Sequence, residues 1–165
     1  MNRWIKYLLI ILEVGGGFTG ISMMFLLQQW NTSMSIYAWI GSIFVGFMFL
    51  FGIVAGLALI DSPQLGTALS AVYQAIQIPF MSSPLLTYEF YSGLQLGFGL
   101  AKGGLAFFVK YGARFALQLS MSAAPWRIGV NVLALVLFVY LLLQLLPKAK
   151  AAEPGSTSTN SSGTN

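Results

Sequence analysis

Residues 36–60 read IYAWIGSIFVGFMFLFGIVAGLALI, and this stretch contains no charged residue. As an α-helix that rises about 1.5 Å per residue, it is long enough to cross the apolar core of a bilayer, which is about 30 Å thick. A second uncharged run extends from Ile128 to Leu146, and a third apolar run, Tyr7 to Leu27, follows Arg3 and Lys6. These runs predict an integral membrane protein.

The fold class predicted from this pattern is an all-α membrane bundle of four transmembrane helices, with three spans as the alternative. Apolar runs separated by polar or proline-containing breaks predict spans at 4–28, 35–60, 85–109 and 128–146. The third span is the least regular, because it contains Glu89, Gln95 and Lys102. Hydropathy favours four spans, whereas the distribution of Lys and Arg favours three and predicts a cytoplasmic N-terminus in a cell (inner) membrane.

Two further helices are predicted between the second and the last span. Residues 63–78 form a weakly amphipathic, uncharged stretch that begins at Pro63, a residue favoured in the first helical turn. It is expected to lie on the membrane or to pack on the bundle, with a segment that lines a polar cavity as the alternative. In 106–122, Lys110 and Arg114 recur at a spacing of four and predict a basic stripe on a helix at the membrane surface. All of this belongs to one membrane-embedded domain, 1–148, followed by a disordered Ser/Thr/Gly/Asn tail, 149–165.

Composition excludes several function classes. The chain has 165 residues, of which 57% are hydrophobic and 7% charged, whereas soluble domains average about 25% charged residues. It contains no cysteine and no histidine, so thiolate or imidazole metal sites and nucleophile–histidine pairs are excluded. The net charge of +4 comes from scattered residues without a basic, aromatic-lined stripe, which argues against nucleic-acid binding. We therefore expect no enzyme activity, no cofactor and no metal.

Glu13 is the strongest candidate for a functional residue. A carboxyl group within an apolar span is costly, so it is expected to be protonated, paired or exposed to water. Lys102, in the third predicted span, is the candidate partner of an intramembrane polar pair. Such a pair predicts a site that handles protons or cations; the alternative is a structural pair or a Glu13 that reaches the membrane surface.

Glycine pairs at a spacing of four residues are frequent in this chain. Such spacing lets helices approach each other closely and predicts helix-packing positions, within the chain or with another membrane subunit. The candidates are Gly16 and Gly20, Gly52 and Gly56, Gly93 and Gly97, and Gly99 and Gly103.

Two functions remain open from the sequence. The first is a non-catalytic multi-span membrane protein that serves as a subunit or accessory factor of a larger membrane assembly. Its expected partners are the lipid bilayer and other membrane subunits or further copies of itself. The alternative is a small oligomeric transporter or channel that uses Glu13 and Lys102, since broken helices often line binding sites in transporters.

Overall fold

The computed structural model describes residues 1–27, 35–119 and 126–146. The predicted tail, 149–165, and the end of the helix predicted at 106–122 lie outside these residues. Within them, helices and strands follow in this order: α1 (Arg3–Ile10), a π-helical turn (Ile11–Gly15), α2 (Gly16–Leu27), α3 (Ile36–Asp61), α4 (Pro63–Gln77), β1 (Pro79–Ser82), β2 (Leu86–Ala101), β3 (Gly104–Leu119), β4 (Arg127–Asn131) and α5 (Val132–Leu145).

The helices form one layer, in which α3 packs on α2 and α4, and α4 packs on α5. Two apolar clusters hold this layer together. One joins α1, α3, α4 and α5 through buried aliphatic residues, among them Leu9, Leu59 and Leu141. The other contains Phe49, Tyr73 and Phe90, whose rings meet with centroids 5.7 Å apart and thereby connect α3 and α4 to strand β2.

Strands β2 and β3 form a long antiparallel hairpin in continuous register, from Leu86 opposite Leu119 to Ala101 opposite Gly104. The turn is Lys102-Gly103, and Gly104 takes a positive φ of 116°, a conformation that glycine adopts at little cost. Gly93 and Gly112, which face each other in the hairpin, also have positive φ. The hairpin therefore bends where these two glycines meet.

Strands β1, β2 and β4 each pair with both of the others, always antiparallel. β1 lies beside the beginning of β2, and β4 lies beside its end. This mutual pairing curls the sheet. Gly97 and Gly129 leave room inside the curl, because a Cβ at Gly97 would overlap the Phe108 ring and one at Gly129 would overlap the Phe80 ring.

The prediction of an all-α bundle is wrong, because the region predicted as a third span and a surface helix is a β-hairpin. The misleading observation is the spacing of Lys110, Arg114 and Gln118. Residues four apart share a face of a helix, but they also share a face of a strand, where side chains alternate with a period of two. Apolar residues at every second position, such as Phe107, Val109 and Tyr111, distinguish the strand.

A multi-pass integral membrane protein of three or four helical spans is not supported either. Among the described residues, two helices, Arg3–Leu26 and Trp39–Asp61, are long and apolar enough to cross a membrane. The predicted last span begins as strand β4, and α5 has only 14 residues. At about 1.5 Å per residue, such a helix is about 21 Å long and falls short of the bilayer core.

Candidate functional site: a buried carboxyl group between α4 and the first helical segment

Glu13 lies in the π-helical turn that joins α1 to α2, and its side chain is completely buried. A π-helical turn inserts one residue into the helical repeat and is frequent at functional sites. One backbone carbonyl released there, that of Gly15, accepts a hydrogen bond from the Thr19 hydroxyl at 2.8 Å. The turn is therefore stabilised locally while it directs Glu13 inward.

Two side chains of α4 bind the Glu13 carboxyl group. The Ser70 hydroxyl donates to Oε2 at 2.7 Å, and the Gln74 amide nitrogen donates to Oε1 at 3.0 Å. Both donors are neutral, and neither Lys nor Arg among the described residues forms an ion pair with Glu13. The carboxyl group is thus hydrogen-bonded but has no compensating charge in the described part of the chain.

Helix α4 turns its polar face inward. The buried polar residues on it recur at spacings of three and four, which places them on one side of a helix. They are Thr67, Ser70, Gln74 and Gln77. Apolar residues such as Leu65 and Val72 are exposed on the other side. The helix was predicted over 63–78 and spans Pro63–Gln77, and it packs on α3 and α5 with its polar side buried.

Strand β2 contacts both α4 and the π-helical turn beside the Glu13 cluster. The Gln77 side-chain oxygen accepts from the Ser92 backbone N–H at 2.8 Å. The Tyr73 hydroxyl, the Ser92 hydroxyl and the Gln77 amide nitrogen are buried without a hydrogen-bond partner within the described residues. Burial raises the pKa of Tyr73, so its hydroxyl remains protonated. The site therefore retains unused donors and acceptors.

Four of the predicted helix-packing glycines allow close approach around this site. A Cβ at Gly56 would lie 3.2 Å from Glu13 Cβ, and one at Gly52 would overlap the Tyr73 ring. A Cβ at Gly16 would overlap Ser92, and one at Gly20 would overlap the Phe49 ring. The contacts are therefore with aromatic rings, side chains and a strand, in addition to helix against helix.

The other four candidate glycines are not helix-packing positions, because they lie in the hairpin. Gly93, Gly97 and Gly99 belong to β2, and Gly103 lies in the turn. At Gly99 the space is taken by the backbone of β4 at Ile128. Gly97 thus permits ring packing and Gly99 strand pairing, whereas Gly93 lies against Leu12 of the π-helical turn and Gly103 has open space.

The remaining predicted residues lie elsewhere. Lys102 is exposed in the hairpin turn, and Ser70 and Gln74 hold Glu13 where Lys102 was expected to do so. Lys110 and Arg114 lie on strand β3 rather than on a helix, and both form ion pairs with Glu89. The three basic residues therefore form neither the predicted intramembrane pair nor a stripe on an amphipathic helix.

Sequence analysis missed Ser70, Gln74 and Gln77 as site residues, although a signal was present. Polar side chains at helical spacing on an uncharged helix indicate a polar interior, provided that the helix buries that side. The arrangement offers hydrogen-bond donors and one ionisable group, which are suited to holding a proton or a small polar molecule. No group of three or more metal-ligating residues occurs in the described parts of the chain.

No protein-family model, no curated protein and no solved structure matches this chain. Its function must therefore be inferred from the residues and their geometry.

Proposed function

We propose that the protein is a non-catalytic component of a membrane-bound assembly, with its apolar outer surface against lipid or against apolar partner subunits. One observation carries this proposal: polar groups lie inside and large apolar groups lie outside. Glu13, Ser70 and Gln95 are fully buried, whereas Phe18 and Phe47 are about two-thirds exposed. In water, the hydrophobic effect favours buried apolar side chains and exposed polar ones.

The same arrangement occurs in both layers of the fold. The two longest apolar helices are each only 28% buried, whereas the core helix of a soluble protein is mostly buried. In the sheet, Phe107, Val109 and Tyr111 are exposed, and Gln95 is enclosed. Large continuous apolar surfaces of this kind mark contact with a membrane or with another protein.

Fractionation of cells that express a tagged full-length chain tests the location. We expect the protein in the membrane fraction after washes with high salt, and soluble only with detergent. Replacing Phe18 and Phe47 with Lys should lower the membrane-bound fraction, because charged groups are costly on a surface that contacts lipid. The control Gln64→Lys, at an exposed polar site on α4, should leave the membrane-bound fraction unchanged. A monodisperse wild-type protein in detergent-free buffer would overturn the proposal.

Extraction in a mild detergent, with measurement of native mass and of co-purifying proteins, tests the accessory role. A partner in stoichiometric amount would support it. A protein that is isolated alone and moves a solute in reconstituted vesicles would refute it in favour of the alternative.

That alternative is a transport function centred on Glu13. It is favoured by the uncompensated carboxyl group and by the unpartnered polar atoms of Tyr73, Ser92 and Gln77. In proteoliposomes, a transporter of this kind would carry protons or cations, and Glu13→Gln would abolish the flux. Asp61→Asn, at an exposed carboxylate, is the matched control. Absence of flux in the wild type would dismiss the alternative.

A further inference from the structure

The curled sheet forms a second polar site, a partly open cavity distinct from the Glu13 cluster. This charged cavity has a volume of about 160 Å³, and β1, β2, β3 and β4 all contribute to it. The polar residues that line it are Ser82, Thr87, Glu89, Lys110, Arg114 and Arg127.

Positive charge exceeds negative charge in the cavity. Three cations (Lys110, Arg114 and Arg127) face one carboxylate (Glu89), which leaves two positive charges in excess. Lys110 is ion-paired with Glu89, and Arg114 Nε lies 3.4 Å from the other oxygen of the same carboxylate. Arg127 forms no ion pair with a described carboxylate. Lys110 and Arg114 therefore share one carboxylate, and the excess positive charge is available to bind a ligand.

Two of the cations contact the Phe108 ring. Lys110 Nζ lies 4.9 Å and Arg127 Cζ 5.6 Å from the ring centre, both within cation–π range. Gly97 provides the space for this ring, and the pairing of Arg127 with Ser82 and Ala101 brings β4 to the cavity. The fold thus positions these cations before any ligand arrives, which lowers the entropic cost of binding.

The size of the cavity limits the ligand to a small group. Sites for drug-sized ligands measure about 300–1,000 Å³, and a water molecule occupies about 30 Å³ of liquid. A cavity of about 160 Å³ therefore holds one compact polyatomic anion. The Ser82 and Thr87 hydroxyls, 3.4 Å apart at its edge, add hydrogen-bond donors. Arginine and lysine together with hydroxyl groups are suited to a phosphate group.

We propose that this cavity binds a phosphate group, either as free phosphate or as the headgroup of an anionic phospholipid. An apolar groove beside it, which shares Phe80 and Met81 with the cavity and also includes Phe98, Leu100 and Leu105, provides room for an acyl chain. The proposal is independent of the Glu13 site, and it holds whether or not the protein has partner subunits.

Calorimetric titration of the detergent-solubilised full chain tests the proposal. The probes are inorganic phosphate, short-chain phosphatidylglycerol and, as the zwitterionic match, short-chain phosphatidylcholine. We expect saturable one-site binding of phosphate, of phosphatidylglycerol, or of both. Binding of inorganic phosphate identifies the free anion as sufficient, whereas binding of phosphatidylglycerol alone identifies the lipid headgroup. Absence of saturable binding by both anionic probes would overturn the proposal.

Single substitutions distinguish binding in this cavity from nonspecific electrostatic attraction. Lys110→Gln and Arg127→Gln should each weaken binding about ten- to a hundredfold, because each removes a charge-assisted hydrogen bond. Glu89→Gln should strengthen it by removing the repelling carboxylate. Lys102→Gln removes the same charge from the exposed turn and should leave affinity unchanged. Equal weakening by Lys102→Gln and Lys110→Gln, in variants that elute like the wild type, would refute the cavity as the site.

Discussion

The Ser70 hydroxyl donates a hydrogen bond of 2.7 Å to the Glu13 carboxyl group, which joins helix α4 to the π-helical turn. The two residues are 57 positions apart in the chain and both are completely buried. A bond of this kind is expensive to break, because the group that remains cannot turn to water.

Replacing Glu13 with Ala should therefore destabilise the protein, whereas Glu13→Gln should not. Alanine leaves the Ser70 and Gln74 donors unpaired, at a cost of about 1–3 kcal/mol for each buried polar group. Glutamine keeps one acceptor oxygen for the Gln74 amide, and its NH2 group can donate to the Ser70 hydroxyl oxygen, so both contacts are retained without the buried charge. The measurement is the free energy of unfolding in mild detergent at neutral pH. Equal losses in the two variants would mean that packing, and not hydrogen bonding, holds the site.

Gly15 and Gly16 are adjacent, yet alanine should affect them oppositely. A Cβ at Gly16 would overlap Ser92 and the Gly93 backbone, so Gly16→Ala must push α2 away from β2. At Gly15 nothing lies within 4 Å of the added atom. There, alanine should be neutral or should stabilise the helix by up to about 1 kcal/mol. Thermal unfolding of both variants is the test, and a stable Gly16→Ala would contradict the close contact.

Asn131 should contribute more to stability than Asn2, although both cap helices. The Asn131 side-chain oxygen accepts from Leu96 N–H at 3.2 Å and from Ala134 N–H at 3.4 Å, and the residue is buried. The Asn2 oxygen accepts from Trp4 N–H at 3.0 Å on an exposed helix end. Loss of a helix cap costs about 0.5–2 kcal/mol. Asn131→Ala should fall at or above the upper value and Asn2→Ala near the lower; the reverse order in urea unfolding would refute this.

The hairpin bend at Gly93 and Gly112 yields a prediction about backbone strain. Both residues have positive φ, which side chains with a Cβ adopt only at a cost of about 1–2 kcal/mol. Gly112 has open space around its Cα, so Gly112→Ala isolates that cost from any steric clash. Gly103→Ala, in the nearby turn with open space and no positive φ, is the control. Equal stability of the two variants would argue against a strained position at Gly112.

The sequence was sufficient for the first two apolar helices and for singling out Glu13 as an unusual residue. Helix α3 extends over Ile36–Asp61 where a span was predicted over 35–60, whereas the uncharged run 128–146 divides into β4 and α5. The hairpin was missed because a polar spacing of four fits both helix and strand. Even with the strands known, Glu89 lies opposite Ala116 and Lys110 opposite Gln95, so the contact between Glu89 and Lys110 depends on how the sheet bends, which no local sequence pattern encodes.

The Glu13 cluster was only half predictable for a similar reason. The carboxyl group stood out, since an ionisable residue in an apolar run is rare. Its partners Ser70 and Gln74 are common polar residues, and only the orientation of α4 places them against Glu13. That orientation is set by tertiary packing against the π-helical turn and against β2.

The position of β4 in the curled sheet determines when the charged cavity can form during synthesis. The curl cannot close until residues 127–131 have been synthesised, because β4 pairs with both β1 and β2. Arg127 arrives on the same strand. The ribosome therefore releases α1, α2 and α3 long before the cavity exists, and contacts of such long sequence separation form slowly. A nascent chain would acquire the apolar surface of α1 to α3 well before its cationic cavity.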